Sequence, residues 1–216
     1  MIRWRAFFAH QRGAAAAEFA LVLPVALLFL LGTIDMGRYM WAMNRLEKAV
    51  QFGTRYAVTT DIVPEGLNAE DYSAFACSAG TLNSGDPICR EALGTITCTN
   101  AASCTCEPSA LGNASCPSDL TANTVAFDNI VGRMRVVDAG ISPANVSVKY
   151  SGSGIGYAGD PITDDGGADL SEISPIVTVE VASFRFRSMS LLGLGIRLPG
   201  FRYSQTLEDG DGAVAY

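Results

Sequence analysis

Histidine is almost missing from this chain: His10 is the sole one in 216 residues. It lies in a short N-terminal tail, so the body has no imidazole to pair with a serine or a cysteine. That excludes the Ser-His and Cys-His arrangements on which much nucleophilic catalysis rests. Zinc has little footing either, because no Cys-x-x-Cys pair occurs. No catalytic residue, no metal and no cofactor is expected. Basic charge is scarce where nucleic acid would need it. Residues 1–58 hold seven Lys/Arg against three Asp/Glu, and residues 59–216 eight against nineteen. An acidic body is a poor partner for a phosphate backbone. Finally, charge of either sign is missing from Ala14 to Ile34, with Glu18 the exception.

That nearly uncharged run is the first positive feature. As a helix it rises about 31 Å, which matches a hydrocarbon core of roughly 30 Å. A discarded signal peptide is the rival reading. The run is longer than a usual signal core, and no small-x-small cleavage site follows it closely. Arg3, Arg5 and Arg12 precede the span, whereas Arg38, Arg45 and Lys48 follow it. The positive-inside count is therefore near a tie. The cysteines break it. All six fall between Cys77 and Cys116, in a polar stretch rich in turn residues. An even number so placed points to disulfides in an oxidising compartment, hence to a C-terminal part outside the cytoplasm. The disulfide candidates are Cys77, Cys89, Cys98, Cys104, Cys106 and Cys116. Six cysteines allow fifteen pairings. Spacing disfavours only a Cys104–Cys106 bridge.

Residues 12–19 read Arg-Gly-Ala-Ala-Ala-Ala-Glu-Phe, directly before the apolar run. A carboxylate inside lipid costs ~2.5–3.5 kcal/mol on the insertion scale, and such groups usually have a partner. Cleavage between Gly13 and Ala14 would supply one, by freeing the Ala14 amine and making Glu18 the fifth residue of the mature chain. In an assembling filament, the Glu18 carboxylate of one subunit would then have the amine of its neighbour as a partner, and such a pair would set the docking register. The plainer reading has Glu18 in the headgroup layer.

Arg12–Phe19 resembles the processing site of type IV-like prepilins, and most of all the Gly-x-x-x-x-Glu-Phe/Tyr pattern of the Tad/Flp branch. Ala20–Pro24, Gly32-Thr-Ile-Asp-Met-Gly-Arg38 and Asn44–Ala49 are similar to the TadE-like signature, in which the apolar span ends near a Gly-acid-x-Gly-Arg turn and an amphipathic helix follows. The specific likeness covers about residues 12–58. It implies a minor pseudopilin for a Tad-type (Flp) pilus, with Gly13 and Ala14 flanking the cleaved bond and Glu18 and Phe19 acting in processing and assembly. The implied partners are a prepilin peptidase, other minor pseudopilins, the Flp major pilin and an inner-membrane assembly platform. The implied location is the bacterial inner membrane, single-pass, with a periplasmic C-terminal domain. An unprocessed single-pass protein with an extracytoplasmic binding or adhesion domain is the alternative.

Beyond the lipid, Tyr39, Ala42, Leu46, Ala49, Gly53 and Tyr56 recur at helical spacing. Pro24 removes one backbone donor and is expected to loosen the helix locally. Residues 59–119 read as loops with short elements. Residues 120–138 read as a helix capped by Ser118 or Asp119, with Val125, Phe127, Ile130, Val131, Met134 and Val137 inward. Strands are predicted at Val146–Tyr150, Ile176–Arg187 and Arg197–Leu207. The expected fold is α+β and pilin-like: a long transmembrane and amphipathic helix, then a small disulfide-stapled domain with a helix and an antiparallel sheet. The expected layout is a 1–13 leader, a 14–58 helix, a 59–119 Cys-rich loop region and a 120–216 α+β domain. Asp160, Asp164, Asp165 and Asp169 form one acidic loop, and Glu208, Asp209 and Asp211 an acidic tail. The loop fails the calcium-loop spacing: with Gly166 in the sixth place, Pro161 takes the first. Met189–Leu198, apolar with Gly193 and Gly195, reads as a buried connection in preference to an exposed docking loop.

Overall fold

A computed structural model describes residues 14–108, 116–159, 171–190 and 193–208. The apolar run and the stripe that follows it form one helix, α1 (Ala14–Ala57). It continues through Pro24 without interruption, so the expected loosening there does not occur. The described chain divides into two units. The first comprises the helix through Met43 together with Arg185–Arg197. The second comprises Asn44–Phe184 and the chain from Leu198 onward.

The second unit is built on a five-stranded antiparallel sheet. Its strands are β3 (Thr95–Cys98), β4 (Thr105–Glu107), β5 (Val146–Ser151), β6 (Ile176–Val181) and β9 (Phe201–Thr206), in the order β4-β3-β5-β6-β9. Alternation decides which face is covered. Val146, Val148 and Tyr150 are buried on β5, and Val177, Val179 and Val181 on β6. Register pairs them across the sheet, Val148 with Val179 and Tyr150 with Val177, and Ile96 of β3 with Tyr150. Each such side chain, fully buried, contributes about 1.5–3 kcal/mol. On the other face Lys149 and Glu180 pair at 2.8 Å across the strands.

Two helical segments complete this core. Leu46, Ala49, Val50, Gly53, Thr54 and Ala57 form the buried stripe at the end of α1. From α2 (Thr124–Val137) come Ala126, Phe127, Ile130, Val131 and Met134. The two helices approach closely because Gly53 has no side chain. A Cβ added there would lie 2.6 Å from Met134 Cγ and 3.6 Å from Val179 Cγ1. Tyr150 also ties the sheet to the chain leaving α1, its hydroxyl accepting from Val63 N at 3.1 Å.

Several expected boundaries shift for identifiable reasons. The helix predicted from residue 120 starts at Thr124. Ala122 N and Asn123 N already donate to Ala102 O and Val63 O, so Asn123 is the cap and accepts from Ala126 N. Asp119 instead closes a local turn, accepting from Thr121 N at 2.8 Å. Val125, expected inward, is exposed. The run Ile176–Arg187 is two strands, not one. Ser183, with φ 67°, breaks it after Val181, a backbone state uncommon for a residue other than glycine. The segment beyond becomes β7 (Arg185–Arg187), which pairs with β8 (Gly195–Arg197). Arg197–Leu207 is likewise divided, and only Phe201–Thr206 joins the main sheet. Residues 59–119 contribute β3 and β4 and a small hairpin of β1 (Ala76–Cys77) and β2 (Gly80–Thr81).

Candidate functional site

The first half of α1 presents apolar side chains on every side. Phe19, Leu21, Val22, Val25, Leu28 and Phe29 are 62–76% exposed. Of the most apolar window in this helix, only 6% is buried by the protein itself. A helix apolar all round is at home in lipid or inside a larger core, and the described chain provides no such core. Glu18 lies on this surface, exposed, with Phe19 beside it. Ala14 opens the helix. Gly13, the basic tail with Arg3, Arg5, Arg12 and His10, the Asp160–Asp169 loop, Asp209 and Asp211 lie outside the described residues. Glu208 is exposed, and its N–H donates to Val58 O at 3.0 Å.

Directly after Ile34 comes a carboxylate that sequence reasoning did not single out. Asp35 is 6% exposed. Its Oδ2 accepts from Ser188 Oγ and from Ser190 N, each at 2.7 Å. Its Oδ1 accepts from Met189 N at 3.0 Å and from Arg38 Nη1 at 3.0 Å. The backbone amides of Ser190 and Met189, then the Ser188 hydroxyl, hold the carboxyl well below the usual carboxylate range. The clamped segment is the loop of the β7–β8 hairpin. Within that loop Gly193 N donates to Ser188 O at 2.8 Å, and Gly193 has φ 85°. One helical turn further along, Tyr39 meets Phe186 edge-on at 5.6 Å, and the Arg38 guanidinium lies 5.3 Å from the same ring centre.

Two expectations change here. The Gly-acid-x-Gly-Arg segment is no turn: α1 runs straight through Gly32, Asp35, Gly37 and Arg38. The acid serves as an anchor on a continuous helix. A signal was present, since Asp35 ends the apolar run and stands three residues before Arg38, on the same helical face. What it holds, 153 residues away at Ser188, has no local trace. The second change concerns Met189–Leu198. Its ends, Ser188 beside it and Leu198, are buried, but Met189 is 60% and Leu194 64% exposed. Asp35 captures the backbone of this loop and leaves these two apolar side chains outside.

The six cysteines pair as Cys77–Cys89, Cys98–Cys104 and Cys106–Cys116, leaving none free. Cys98–Cys104 closes the β3–β4 hairpin, and Cys106–Cys116 ties β4 to the chain approaching α2. Cys77, Cys89 and Glu91 come close enough to suggest metal ligands. Both sulfurs are in a bridge, and Glu91 accepts from Ser78 N and Oγ, so the group offers no thiolate.

These features define a class: a protein anchored by one N-terminal helix long and apolar enough to cross a membrane, carrying a disulfide-bonded extracytoplasmic α+β domain. Within that class, residues 13–55 match the family model described as TadE-like protein, and this segment is assigned to that family. No curated protein and no solved structure matches the chain.

Proposed function

We propose that this chain is a minor pseudopilin of a Tad-type pilus, processed between Gly13 and Ala14 by a prepilin peptidase. The observation that carries the reading is the TadE-like match over residues 13–55, which takes in the lone charged residue of the apolar run, Glu18. An exposed carboxylate on an otherwise apolar helix surface is costly in lipid until it finds a cation. The amine freed at Ala14 of a neighbouring subunit has the right charge. Pairing in only one register aligns helix against helix, and binding energy goes into placement rather than chemistry. The partners under this reading are sister pseudopilins, the Flp major pilin and the inner-membrane assembly platform. The extracytoplasmic domain lies in the periplasm or is carried into the fibre.

N-terminal sequencing of the protein from membranes of its native host tests the first step. A start at Ala14 supports processing, and an intact Met1 overturns it in favour of a plain membrane-anchored binding protein. Glu18→Ala tests the second step: membrane insertion is expected to persist while pilus assembly is lost. Normal piliation in that variant would remove the register role.

A further inference from the structure

The β7–β8 hairpin runs alongside α1 in the opposite sense. Phe186 is level with Tyr39, Ser188 to Ser190 are level with Asp35, and the hollow beside them is lined by Gly32, Asp35, Met36, Tyr39, Phe186 and Ile196. Tyr39 to Asp35 is about 6 Å along the helix axis. The hairpin thus descends toward the N-terminus of α1. Its Ser190 lies beside the last turn of the apolar run, which ends at Ile34.

Two properties of the hairpin match that depth. At the tip, Met189 and Leu194 are exposed and apolar. Higher up, Arg185, Arg187 and Arg197 are exposed. Arg185 stands directly opposite Arg197, and Phe186 opposite Ile196. Alternation therefore gathers the three guanidinium groups on the face away from Phe186. Among the described residues no carboxylate lies within ion-pair distance of any of them. Like charges directly opposite on a hairpin are destabilising, and an anion shared between them removes the penalty.

We propose that this hairpin is a second membrane contact: Met189 and Leu194 enter the extracytoplasmic leaflet, and Arg185, Arg187 and Arg197 bind the phosphates of anionic lipids. Asp35 fixes the depth by holding the loop backbone at the helix position where lipid ends. The helix then has a fixed rotation at the membrane surface, because only one of its sides carries the hairpin. The contact rests on the apolar run crossing a bilayer, and its test keeps the two apart.

The full chain would be reconstituted in vesicles of phosphatidylcholine alone or with phosphatidylglycerol. An environment-sensitive fluorescent residue would be introduced by stop-codon suppression at position 194, 136 or 27, sparing the bridged cysteines. Spin-labelled lipids, shallow or deep, would act as quenchers. Position 194 is expected to be quenched by shallow labels, more strongly with phosphatidylglycerol present. Position 27 should respond to deep labels, and position 136, exposed on α2, to neither. Each of Arg185→Gln, Arg187→Gln and Arg197→Gln should lower the ratio of immersed to free tip about fivefold in anionic vesicles. Asp35→Asn should lower it in both lipids. A reporter at 194 as unquenched as that at 136, with 27 still quenched, overturns the hairpin contact and leaves a protein partner for that face. Loss of quenching at both 27 and 194 overturns the membrane span and the contact with it. Equal quenching at 194 in neutral and anionic vesicles overturns the role of the arginines.

Discussion

The two units of this protein hold their shape by opposite means. The second unit buries aliphatic side chains under a sheet and locks its longest irregular stretch with three bridges. The first keeps most of its aliphatic side chains outside and joins hairpin to helix through one carboxylate with its donors and one buried ring, Phe186, set against Tyr39 and Arg38. The difference follows from the solvent each unit meets. In water, apolar burial drives packing without specifying direction. Against lipid that drive vanishes, because the tails are as apolar as the side chains, and polar contacts must fix the geometry. A buried aspartate where the apolar run ends is the kind of contact such a surface needs.

The largest expected effect separates the units by their staples. The bridges close sequence separations of 12, 6 and 10 residues. The chain-entropy model gives roughly 2–3 kcal/mol for each. Their sum approaches the whole margin of an ordinary domain, about 5–15 kcal/mol. Reduction of the detergent-solubilised protein should therefore abolish the cooperative thermal transition of the second unit and expose residues 77–116 to protease. Protease resistance of the helix before Met43 should be unchanged. An identical transition before and after complete reduction would mean that the bridges constrain nothing in the unfolded chain.

A smaller effect comes from a single oxygen. Tyr150 is 0% exposed, and its hydroxyl is the acceptor for the buried Val63 N–H. Burial also pushes its phenol far above the ordinary range, so it stays neutral. Tyr150→Phe keeps the ring and leaves the amide without a partner, at a cost of about 1–3 kcal/mol. Urea unfolding should show a lower midpoint with the slope unchanged. The hairpin of the first unit should keep its protease resistance. A midpoint equal to that of the parent would show that Val63 N finds another acceptor.

These contrasts also explain what was legible in the sequence. The apolar run, the stripe Leu46–Ala49–Gly53 and the alternation Val177–Val179–Val181 are periodic, and periodicity is local. Helix α2 was legible as an element, but its start was not. Asn123 caps it because its own amide and that of Ala122 already donate to Val63 O and Ala102 O. The Cys98–Cys104 bridge depends on the β3–β4 register, Ile96 beside Cys106 and Thr97 beside Thr105, which brings Cys98 across from Cys104 and which spacing does not encode. The break at Ser183 is one positive φ angle in an otherwise plausible strand. Glu18 was conspicuous because a charge inside an apolar run is costly wherever it points. Asp35 was not, because a charge just past such a run costs nothing until something covers it, and its cover comes from the far end of the chain.

The smallest effect on global stability is expected at Asp35, and it sharpens the comparison most. Asp35→Asn keeps the size of the group and replaces one acceptor oxygen by a donor, which faces the Ser190 or Met189 amide. The hairpin should detach, visible as protease cleavage within residues 185–197, while the thermal transition of the second unit stays where it was. Acid offers the same test without a substitution. The folded carboxyl titrates below the unfolded one, so its contribution is fully present above the ordinary Asp value, near 3.9, and fades only as pH falls below that toward the lowered folded value. Hairpin cleavage by an acid-tolerant protease should be flat from neutral pH down to about 4.5 and rise only in stronger acid. A rise centred near pH 6 would assign the anchor to some other group. Detachment together with a lowered transition in the second unit would show that the carboxylate supports the whole domain and not the hairpin alone.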